Sequence, residues 1–504
     1  MHHFYSAVRP SLASVAQLSR VIQTVLFASI ACQEPPPMSS SPRFLGVTTL
    51  SPFFQVEGVE PVLDRLQAAG VNAVAVNTSV TAPGREGEGS YQPPDDGGTS
   101  PRLFDRPLWG RRGLWLRTAP GHAFRPEFFA DSPYQPRPAN DLTQAAGVVI
   151  GEFIGAAKQR GMRVYIQTSA AAPAGLRDED RPRLPDGSLP PYRMADTASL
   201  ASPAVRAWNR AWCRDIFAQY PEIDGIRPDW PEYPCYTLNE LFSDLGPQVE
   251  GWAAAYGFDF AAIRAETLAL WRYLHGSLRN EDIADFAEAD GGRFAQASLL
   301  VRFPGVAAFF RLKAALSADL LADWRAAITE AAGPQKELSA NAFMAPYSFF
   351  TGLDFARIGD NCGSVSAKLY TMHWCQMVEY WGRELLQANP GLDEGLLVAA
   401  LVAVMDIAEP GQGGRTLAYY HYPEPEEAHP ISTETQARKL RQVVRAVGGR
   451  AQVHALVHGY GPLDDFRHRF AVAVDSPVDG IWVNRYGYLS DEKLAAMGEV
   501  MRGA

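Results

Sequence analysis

The segment Asp224-Gly-Ile-Arg-Pro-Asp-Trp-Pro-Glu-Tyr-Pro234 decides the fold prediction for this chain. Its first residues, Gly225 and Ile226, are typical of a buried strand. The prolines that follow exclude both a helix and a continuing central strand, because proline lacks the backbone N–H and fixes φ. Asp229 and Glu232 are therefore expected on a stiff, irregular segment just past the carboxyl end of a strand, where a parallel α/β enzyme keeps its catalytic groups. The alternative is a proline-rich surface turn with solvated acids.

Similar strand-like segments recur along the chain and alternate with helical ones. Strands are predicted at 44–50, 71–77, 162–167, from 224, and at 337–343, 364–373, 451–458 and 479–486. Helices are predicted at 59–69, 139–160, 203–220, 374–407 and 433–447, with a last helix capped by Ser490. Eight strands alternating with helices predict a parallel sheet closed into a (β/α)8 TIM barrel.

An open doubly wound sheet is the alternative fold. No G-x-G-x-x-G follows the first strand, and no GxxxxGK[ST] occurs in the sequence. Both motifs bind nucleotide phosphates, so no nucleotide cofactor is predicted and the barrel is favoured.

The predicted barrel spans residues 43–500 and contains long insertions. Residues 81–140 and 170–200 are rich in Gly, Pro, Asp and Arg and follow the second and third strands. Loops of that length are usually functional, and these two are expected to overhang the mouth of the barrel. Residues 236–333 are mostly helical and too many for one crossover, so a helical insertion within the barrel is predicted.

The first 37 residues form a leader with two interpretations. Arg9 and Arg20 precede an apolar run at 21–32 that ends at Cys32, as in a secretory or lipoprotein signal. In the interpretation we favour, Met38 is the true start, the upstream residues are a translated leader and the protein is cytoplasmic. In the other, the protein is exported or anchored to lipid through Cys32. No other stretch has the apolar length that spans a bilayer.

Composition excludes several classes of protein. The 504 residues are 47% hydrophobic and 20% charged, as in an ordinary globular protein, and the net charge is −10. The sequence contains no basic tract, so nucleic-acid binding is not expected. Five scattered cysteines without a CxxC pair indicate neither a disulfide framework nor a zinc cluster. The sequence does not indicate an oligomeric state.

In a barrel, the carboxyl ends of all strands meet at one mouth, and the polar residues there form the candidate site. The predicted catalytic residues are Asp229, Glu232 and His373. The predicted substrate-binding residues are Asn77, Gln167, Arg227, Trp230, Asn341, Lys368, Tyr370, His458, Asn484, Arg485 and Tyr486. Arginines in or near strands, at 163, 227 and 485, are expected either to pair with inward-facing acids or to hold a carboxylated sugar.

Two carboxyl groups at such a mouth suit the hydrolysis of an acetal, since one protonates the leaving oxygen while the other attacks carbon or activates water. Asp229 is the first carboxylate, and Glu232, Asp354 or Asp406 is the second. His373 is either a general acid/base or a histidine packed between aromatic neighbours. A metal site built from His373, His458 and Asp229 is conceivable, but no short-range ligand spacing favours it and no metal is predicted.

Three segments resemble the strand-end motifs of glycoside hydrolases with a TIM-barrel domain. They are DGIRPDWPEYP at 224–234, KLYTMHW at 368–374 and DGIWVNRYGYL at 479–489. The resemblance implies an essential acid at Asp229, with Lys368, Tyr370, Arg485 and Tyr486 near the substrate. The chain departs from well-studied barrel glycosidases by lacking Asn-Glu-Pro at the fourth strand. It also carries Asn341, not glutamate, after the fifth, which leaves the second carboxylate open.

The leading hypothesis is a glycoside hydrolase that cleaves a terminal sugar by carboxylate acid/base catalysis. A mouth arginine extends the hypothesis to an acidic sugar, such as a sialic or uronic acid. The alternatives are a metal-assisted hydrolase or lyase on the same barrel, and a non-catalytic carbohydrate-binding barrel.

Overall fold

The computed structural model describes residues 43–95, 103–191, 193–194, 196–288, 292–409 and 411–503. Its strands are β1 (Phe44–Thr48), β2 (Ala73–Val76), β3 (Ser79–Pro83), β4 (Ser90–Gln92), β5 (Leu114–Pro120), β6 (Arg163–Ser169), β7 (Gly225–Asp229), β8 (Glu337–Ala342), β9 (Ser364–Leu369), β10 (Gln452–His458) and β11 (Gly480–Asn484). Eight of them close into a parallel barrel in the order β1-β11-β10-β9-β8-β7-β6-β2, so the predicted (β/α)8 fold is confirmed. The predicted leader at 1–37 lies outside the described residues.

Helices follow the barrel strands and surround them. They are α1 (Ser51–Glu57), α2 (Val59–Ala68), α3 (Asp141–Ala146), α4 (Val148–Gln159), α5 (Pro203–Gln219), α6 (Pro247–Ala255), α7 (Phe260–Leu274), α8 (Asn280–Ala284), α9 (Arg293–Arg302), α10 (Pro304–Ala332), α11 (Tyr347–Thr351), α12 (Thr371–Ala388), α13 (Glu394–Met405), α14 (Thr433–Val447), α15 (Leu463–Asp475) and α16 (Asp491–Gly503). Within the described ranges, none of these helices combines the length and the apolar character needed to cross a membrane.

The barrel elements form where the sequence favours them. All four residues of β2 are buried, as expected of a parallel strand covered on both faces. Ser432 caps the start of helix α14, and its hydroxyl accepts the Thr435 backbone N–H at 3.1 Å. Its buried face carries Leu440, Val443 and Val447 at helical spacing, so it packs against the barrel through a single apolar stripe.

Three predicted elements differ from the structure. The helix predicted at 374–407 is two helices, α12 and α13, with Pro390 and Gly391 between them, because proline lacks the backbone N–H that a helix interior needs. The helix predicted at 139–160 is two helices, α3 and α4, which meet at Gly147, where a Cβ would overlap the carbonyl oxygens of Gly121 and Thr143. The strand predicted at 364–373 ends at Leu369, and α12 begins at Thr371. The short apolar run there fits a strand and a helix equally well, so the hydrophobic periodicity does not show where the strand ends and the helix begins.

The insertions have structure of their own. Residues 81–140 were expected to form a long loop, yet β3, β5 and β4 form an antiparallel sheet in that order, and a 3-10 helix follows at Pro126–Phe129. The segment between β7 and β8 carries α6 to α10. Helix α10 lies along α5, and the ion pair of Arg206 with Asp319, at 2.6 Å, ties the two helices together.

The barrel interior below the mouth holds a buried arginine. The Arg227 guanidinium donates to the Ser339 hydroxyl at 2.9 Å and to the Asn341 side-chain oxygen at 2.6 Å. It also stacks 3.7 Å from the ring centroid of Trp482. Gly46 also packs against that indole, where a Cβ would overlap the ring, so the tryptophan fits only because β1 carries glycine there.

We expect Gly46→Val to destabilise the protein by about 1–3 kcal/mol, because the added methyl groups must displace Trp482 in a closed barrel. Urea unfolding followed by tryptophan fluorescence measures the change. Gly151→Ala is the matched control, because Gly151 lies in α4 and a methyl group added there would meet no other atom within 4 Å. That control should gain stability by up to about 1 kcal/mol. Equal midpoints for Gly46→Val and the wild type would contradict this packing.

Candidate active site

A cleft of about 300 Å³ opens at the carboxyl ends of the barrel strands. Its lining residues come from β1, β6, β7, β9, β10 and β11, or directly follow them, and from the first turn of α12 and three longer loops. They are Thr48, Leu50, Asp95, Gln167, Met194, Asp229, Trp230, Tyr236, Lys368, Tyr370, His373, His458, Asn484 and Arg485. The predicted site residues within this set are Gln167, Asp229, Trp230, Lys368, Tyr370, His373, His458, Asn484 and Arg485.

Asp229, the last residue of β7, has one fixed and one open carboxylate oxygen. Its Oδ1 lies 2.7 Å from the Lys368 ammonium and accepts the Trp230 backbone N–H at 3.1 Å. Within the described residues, Oδ2 accepts no hydrogen bond, and 27% of the side chain is exposed, in the cleft. Lys368 is only 3% exposed and lies 4.8 Å from the ring centroids of Trp230 and Phe343. The buried ammonium therefore holds the carboxylate in one orientation.

Trp230 has the left-handed backbone conformation, with φ of 53°. A bulky residue adopts this conformation only where the surrounding structure enforces it, and such strain is frequent at functional sites. The conformation turns the chain immediately after Asp229 and directs the Trp230 N–H back to the carboxylate. Its ring packs edge-on against Tyr236, with centroids 6.3 Å apart, so the two residues form an aromatic wall of the cleft.

Glu232, predicted as a catalytic partner, is fully buried and does not line the cleft. Its Oε1 accepts the Phe343 backbone N–H at 2.6 Å, and its Oε2 accepts the Thr351 hydroxyl. Burial raises the pKa of Glu232 to about 7, although both hydrogen bonds act in the opposite direction. These contacts join the segment after β7 to the segment after β8, which is a structural arrangement.

Four predicted substrate-binding residues also lie outside the cleft lining. Arg227 and Asn341 contact each other in the barrel interior. The Asn77 side-chain oxygen accepts the Ser51 N–H at 2.9 Å and so positions the start of α1. Tyr486 is fully buried, and its hydroxyl donates to Glu57 at 2.9 Å.

The two predicted histidines lie in the cleft wall among aromatic rings. His373 lies in the first turn of α12, with its Nδ1 at 3.2 Å from the Tyr236 hydroxyl and its ring edge-on to Tyr370. His458 ends β10, and its Nδ1 accepts the Tyr460 backbone N–H at 3.1 Å. That bond places the proton of the neutral His458 ring on Nε2. Both side chains are nearly buried, at 4% and 3% exposure.

The strand arginines have three different environments. Arg163 forms an ion pair with Glu337 at the amino ends of the strands, and Arg227 is the interior arginine described above. Arg485 follows β11 and lines the cleft, and its guanidinium makes no ion pair or hydrogen bond with any described residue. It is thus the cationic group in the cleft that the described structure leaves available to an anion.

Some cleft residues were missed by the sequence reasoning. Thr48 and Leu50 end or follow β1, so the strand-end rule that found Asp229 could have found them. Asp95, Met194 and Tyr236 come from insertions, where no periodicity indicates which side chain faces the mouth. The alternative second carboxylates lie elsewhere, since Asp354 accepts the Ala356 N–H at 2.9 Å and Asp406 pairs with Arg438 at 2.9 Å.

The described side chains include no group of three or more His, Cys, Asp or Glu residues placed to hold a metal ion. His373, His458 and Asp229, considered above as ligands, therefore do not form such a group. The charges that do meet in the cleft are those of Asp229, Lys368, Asp95 and Arg485.

Comparison with known proteins gives likeness of fold alone. No protein-family model matches the chain, and no curated protein matches it. Among solved structures, a beta-galactosidase from the psychrophilic Marinomonas ef1 is 11% identical with a TM-score of 0.49, and the match covers 91% of this chain and 59% of that one. The catalytic domain of a beta-amylase from Paenibacillus polymyxa is 11% identical with a TM-score of 0.44, and the match covers 90% of this chain and 97% of that one. A class V chitinase from Pseudomonas fluorescens Pf-5 is 11% identical with a TM-score of 0.38, and the match covers 90% of this chain and 98% of that one. Likeness at this level does not define the activity.

The buried carboxyl of Glu232 predicts a pH effect on stability. The folded protein keeps the Glu232 proton up to a pKa of about 7, whereas the unfolded chain releases it near its ordinary value of 4.5. The folded state therefore binds more protons between those values, and its stability falls as pH rises through them. We expect Glu232→Gln to gain about 3 kcal/mol relative to the wild type between pH 4 and pH 8.

Urea unfolding of both proteins at a series of pH values measures this difference. Glu330→Gln is the control, because Glu330 is a solvent-exposed partner of Arg214 on α10. A difference in the free energy of unfolding between Glu232→Gln and the wild type that stays constant across the pH range would contradict the prediction. It would mean that Glu232 has the same pKa in the folded and unfolded states.

Proposed function

We propose that the protein is a glycoside hydrolase that cleaves a terminal sugar at the cleft on the barrel mouth. The observation that carries the proposal is the Asp229 carboxylate, which lines an aromatic and polar cleft, with Oδ1 fixed by Lys368 and Oδ2 without a hydrogen bond from the described residues. Acetal hydrolysis needs such a carboxylate, either to attack the anomeric carbon or to deprotonate a water that attacks it. Lys368 supplies the orientation, since its ammonium fixes the carboxylate before substrate arrives.

The wall of the cleft suits a sugar ring. Trp230, Tyr236 and Tyr370 offer apolar faces, while Gln167 and Asn484 offer side-chain amides that both donate and accept hydrogen bonds. Ligand pockets of this kind combine a few polar groups with aromatic surface. The indole Nε1 of Trp230 is buried and has no partner among the described residues, so it is available to donate to a hydroxyl.

The size of the cleft and its loops favour cleavage at a chain end. At about 300 Å³ the cavity lies at the small end of the range for ligand pockets. Met194 from the 170–200 loop and Asp95 from the 81–140 insertion both reach the lining, so the two insertions overhang the mouth. A polymer passing through the site would need an open groove, whereas a terminal residue can enter from above.

An acidic sugar is the finer form of the proposal. Arg485 lines the cleft without an ionic partner among the described residues, and guanidinium groups bind carboxylates through two parallel hydrogen bonds. A sugar carboxylate placed at Arg485 would lie across the barrel from Asp229. This would orient the ring so that its anomeric carbon faces the Asp229 Oδ2.

The test is a panel of aryl glycosides that includes neutral and acidic sugars, assayed with residues 38–504. We expect at least one glycoside to turn over, and Asp229→Asn to lower kcat/KM by about 10²-fold or more, because the amide neither attacks carbon nor accepts a proton. Turnover of neutral sugars without acidic ones would contradict the Arg485 interpretation but leave the glycosidase proposal intact.

Asp354→Asn is the matched control for the panel. Asp354 caps a 3-10 helix outside the cleft, and asparagine caps as well as aspartate, so its activity should equal that of the wild type. Sugar binding without turnover would favour the non-catalytic carbohydrate-binding barrel. Turnover abolished by a chelator and retained in Asp229→Asn would favour the metal-assisted alternative.

A further inference from the structure

Asp95 is the other carboxylate of the cleft. Among the described lining residues, Asp229 and Asp95 carry the carboxyl groups, and they come from different parts of the fold. Asp229 ends a barrel strand, whereas Asp95 follows β4 of the inserted sheet after two prolines. The prolines stiffen the connection, and Asp95 itself is exposed.

The insertion that carries Asp95 is fixed to the barrel on both sides of that residue. Before it, Gln55 of α1 makes two 3.0 Å hydrogen bonds with the backbone of Thr81 in β3. After it, the Arg106 N–H donates to the Gly487 carbonyl at 3.1 Å. The Lys493 ammonium also donates to Asp105 at 2.8 Å. Asp95 thus lines the cleft on an insertion that contacts the barrel both before and after it in sequence.

The Gly487 anchor lies across the barrel from Asp229. In the strand order of the closed barrel, β11 is four strands from β7 in either direction. Gly487 follows β11, and Asp229 ends β7. The insertion therefore contacts the barrel on the side opposite Asp229, and its Asp95 lines the same cleft as Asp229.

The lysine, arginine and histidine side chains of the cleft are less suited than Asp95 to act as the general acid. Lys368 is the charge partner of Asp229, and arginine does not give up its proton in proteins. His373 and His458 are nearly buried, and each has a hydroxyl or a backbone N–H at its Nδ1. Asp95 is the exposed acidic group that faces the cleft.

Resting on the proposed function, we infer that Asp95 is the general acid of the reaction, supplied by the inserted sheet and not by a barrel strand. The Asp95 carboxyl gives its proton to the glycosidic oxygen while the bond from that oxygen to the anomeric carbon breaks. The electron pair of the broken bond leaves with the oxygen, which departs as an alcohol. Carbon receives a new bond from Asp229 Oδ2 or from a water that Asp229 deprotonates, and the sum of all steps adds one water.

The experiment compares two leaving groups on the glycosides of the panel. Phenyl glycosides need a proton on the departing oxygen, whereas 2,4-dinitrophenyl glycosides release a weakly basic phenolate that does not. We expect Asp95→Asn to lower kcat/KM for the phenyl substrate by about 10²–10⁴-fold and for the dinitrophenyl substrate by less than about tenfold. Asp229→Asn should lose activity on both.

Asp131→Asn is the matched control, since Asp131 is an exposed aspartate of the same insertion outside the cleft lining. It should behave as the wild type with both leaving groups. Equal losses of Asp95→Asn on the two substrates, or no loss on either, would overturn the assignment while Asp229→Asn still upheld the glycosidase. Absence of wild-type turnover with every substrate would overturn both.

Discussion

The ion pair between Lys368 and Asp229 is the interaction on which the arrangement of the cleft depends. It joins β9 to β7 across β8, and its ammonium is 3% exposed between the rings of Trp230 and Phe343. A buried ammonium without a counter-charge is costly, so each member of the pair requires the other. Because Oδ1 contacts both Lys368 and the Trp230 N–H, these contacts fix the position of Oδ2 and of the Trp230 ring in the cleft wall together.

Three charged residues of one short segment have three separate roles because their surroundings differ. Arg227 points into the barrel, where its terminal nitrogens donate to Ser339, Asn341 and Ser366 and its guanidinium stacks on the Trp482 ring. Asp229 faces the cleft and pairs with Lys368. Glu232 is enclosed beyond the mouth, and burial raises its pKa to about 7. A raised pKa is often taken as a sign of a catalytic acid. The Glu232 carboxyl does not reach the cleft, so its position argues against a catalytic role despite the raised pKa.

The sequence predicted the barrel because eight apolar strands alternate with helices, and it placed Asp229, Lys368 and Arg485 at the mouth through one rule about strand ends. That rule fails wherever tertiary packing determines which side chain faces the cleft. Glu232 follows the same strand, yet the Thr351 hydroxyl and the Phe343 N–H draw it inward. Asp95 belongs to an insertion without periodicity, and only the tertiary structure places it in the cleft lining. The close approach of Gly147, at the junction of α3 and α4, to the Gly121 carbonyl is likewise a contact between residues far apart in sequence.

The central claim is that Lys368 acts on the reaction through Asp229, and a double-mutant cycle on kcat/KM tests it most directly. The proteins are the wild type, Lys368→Met, Asp229→Asn and the double variant, assayed with a 2,4-dinitrophenyl glycoside so that residual rates stay measurable. The account predicts that the double variant is no slower than Asp229→Asn alone, within about threefold, because the lysine has no carboxylate left to orient. Losses that multiply in the double variant would show that the two residues act independently, and would contradict the account.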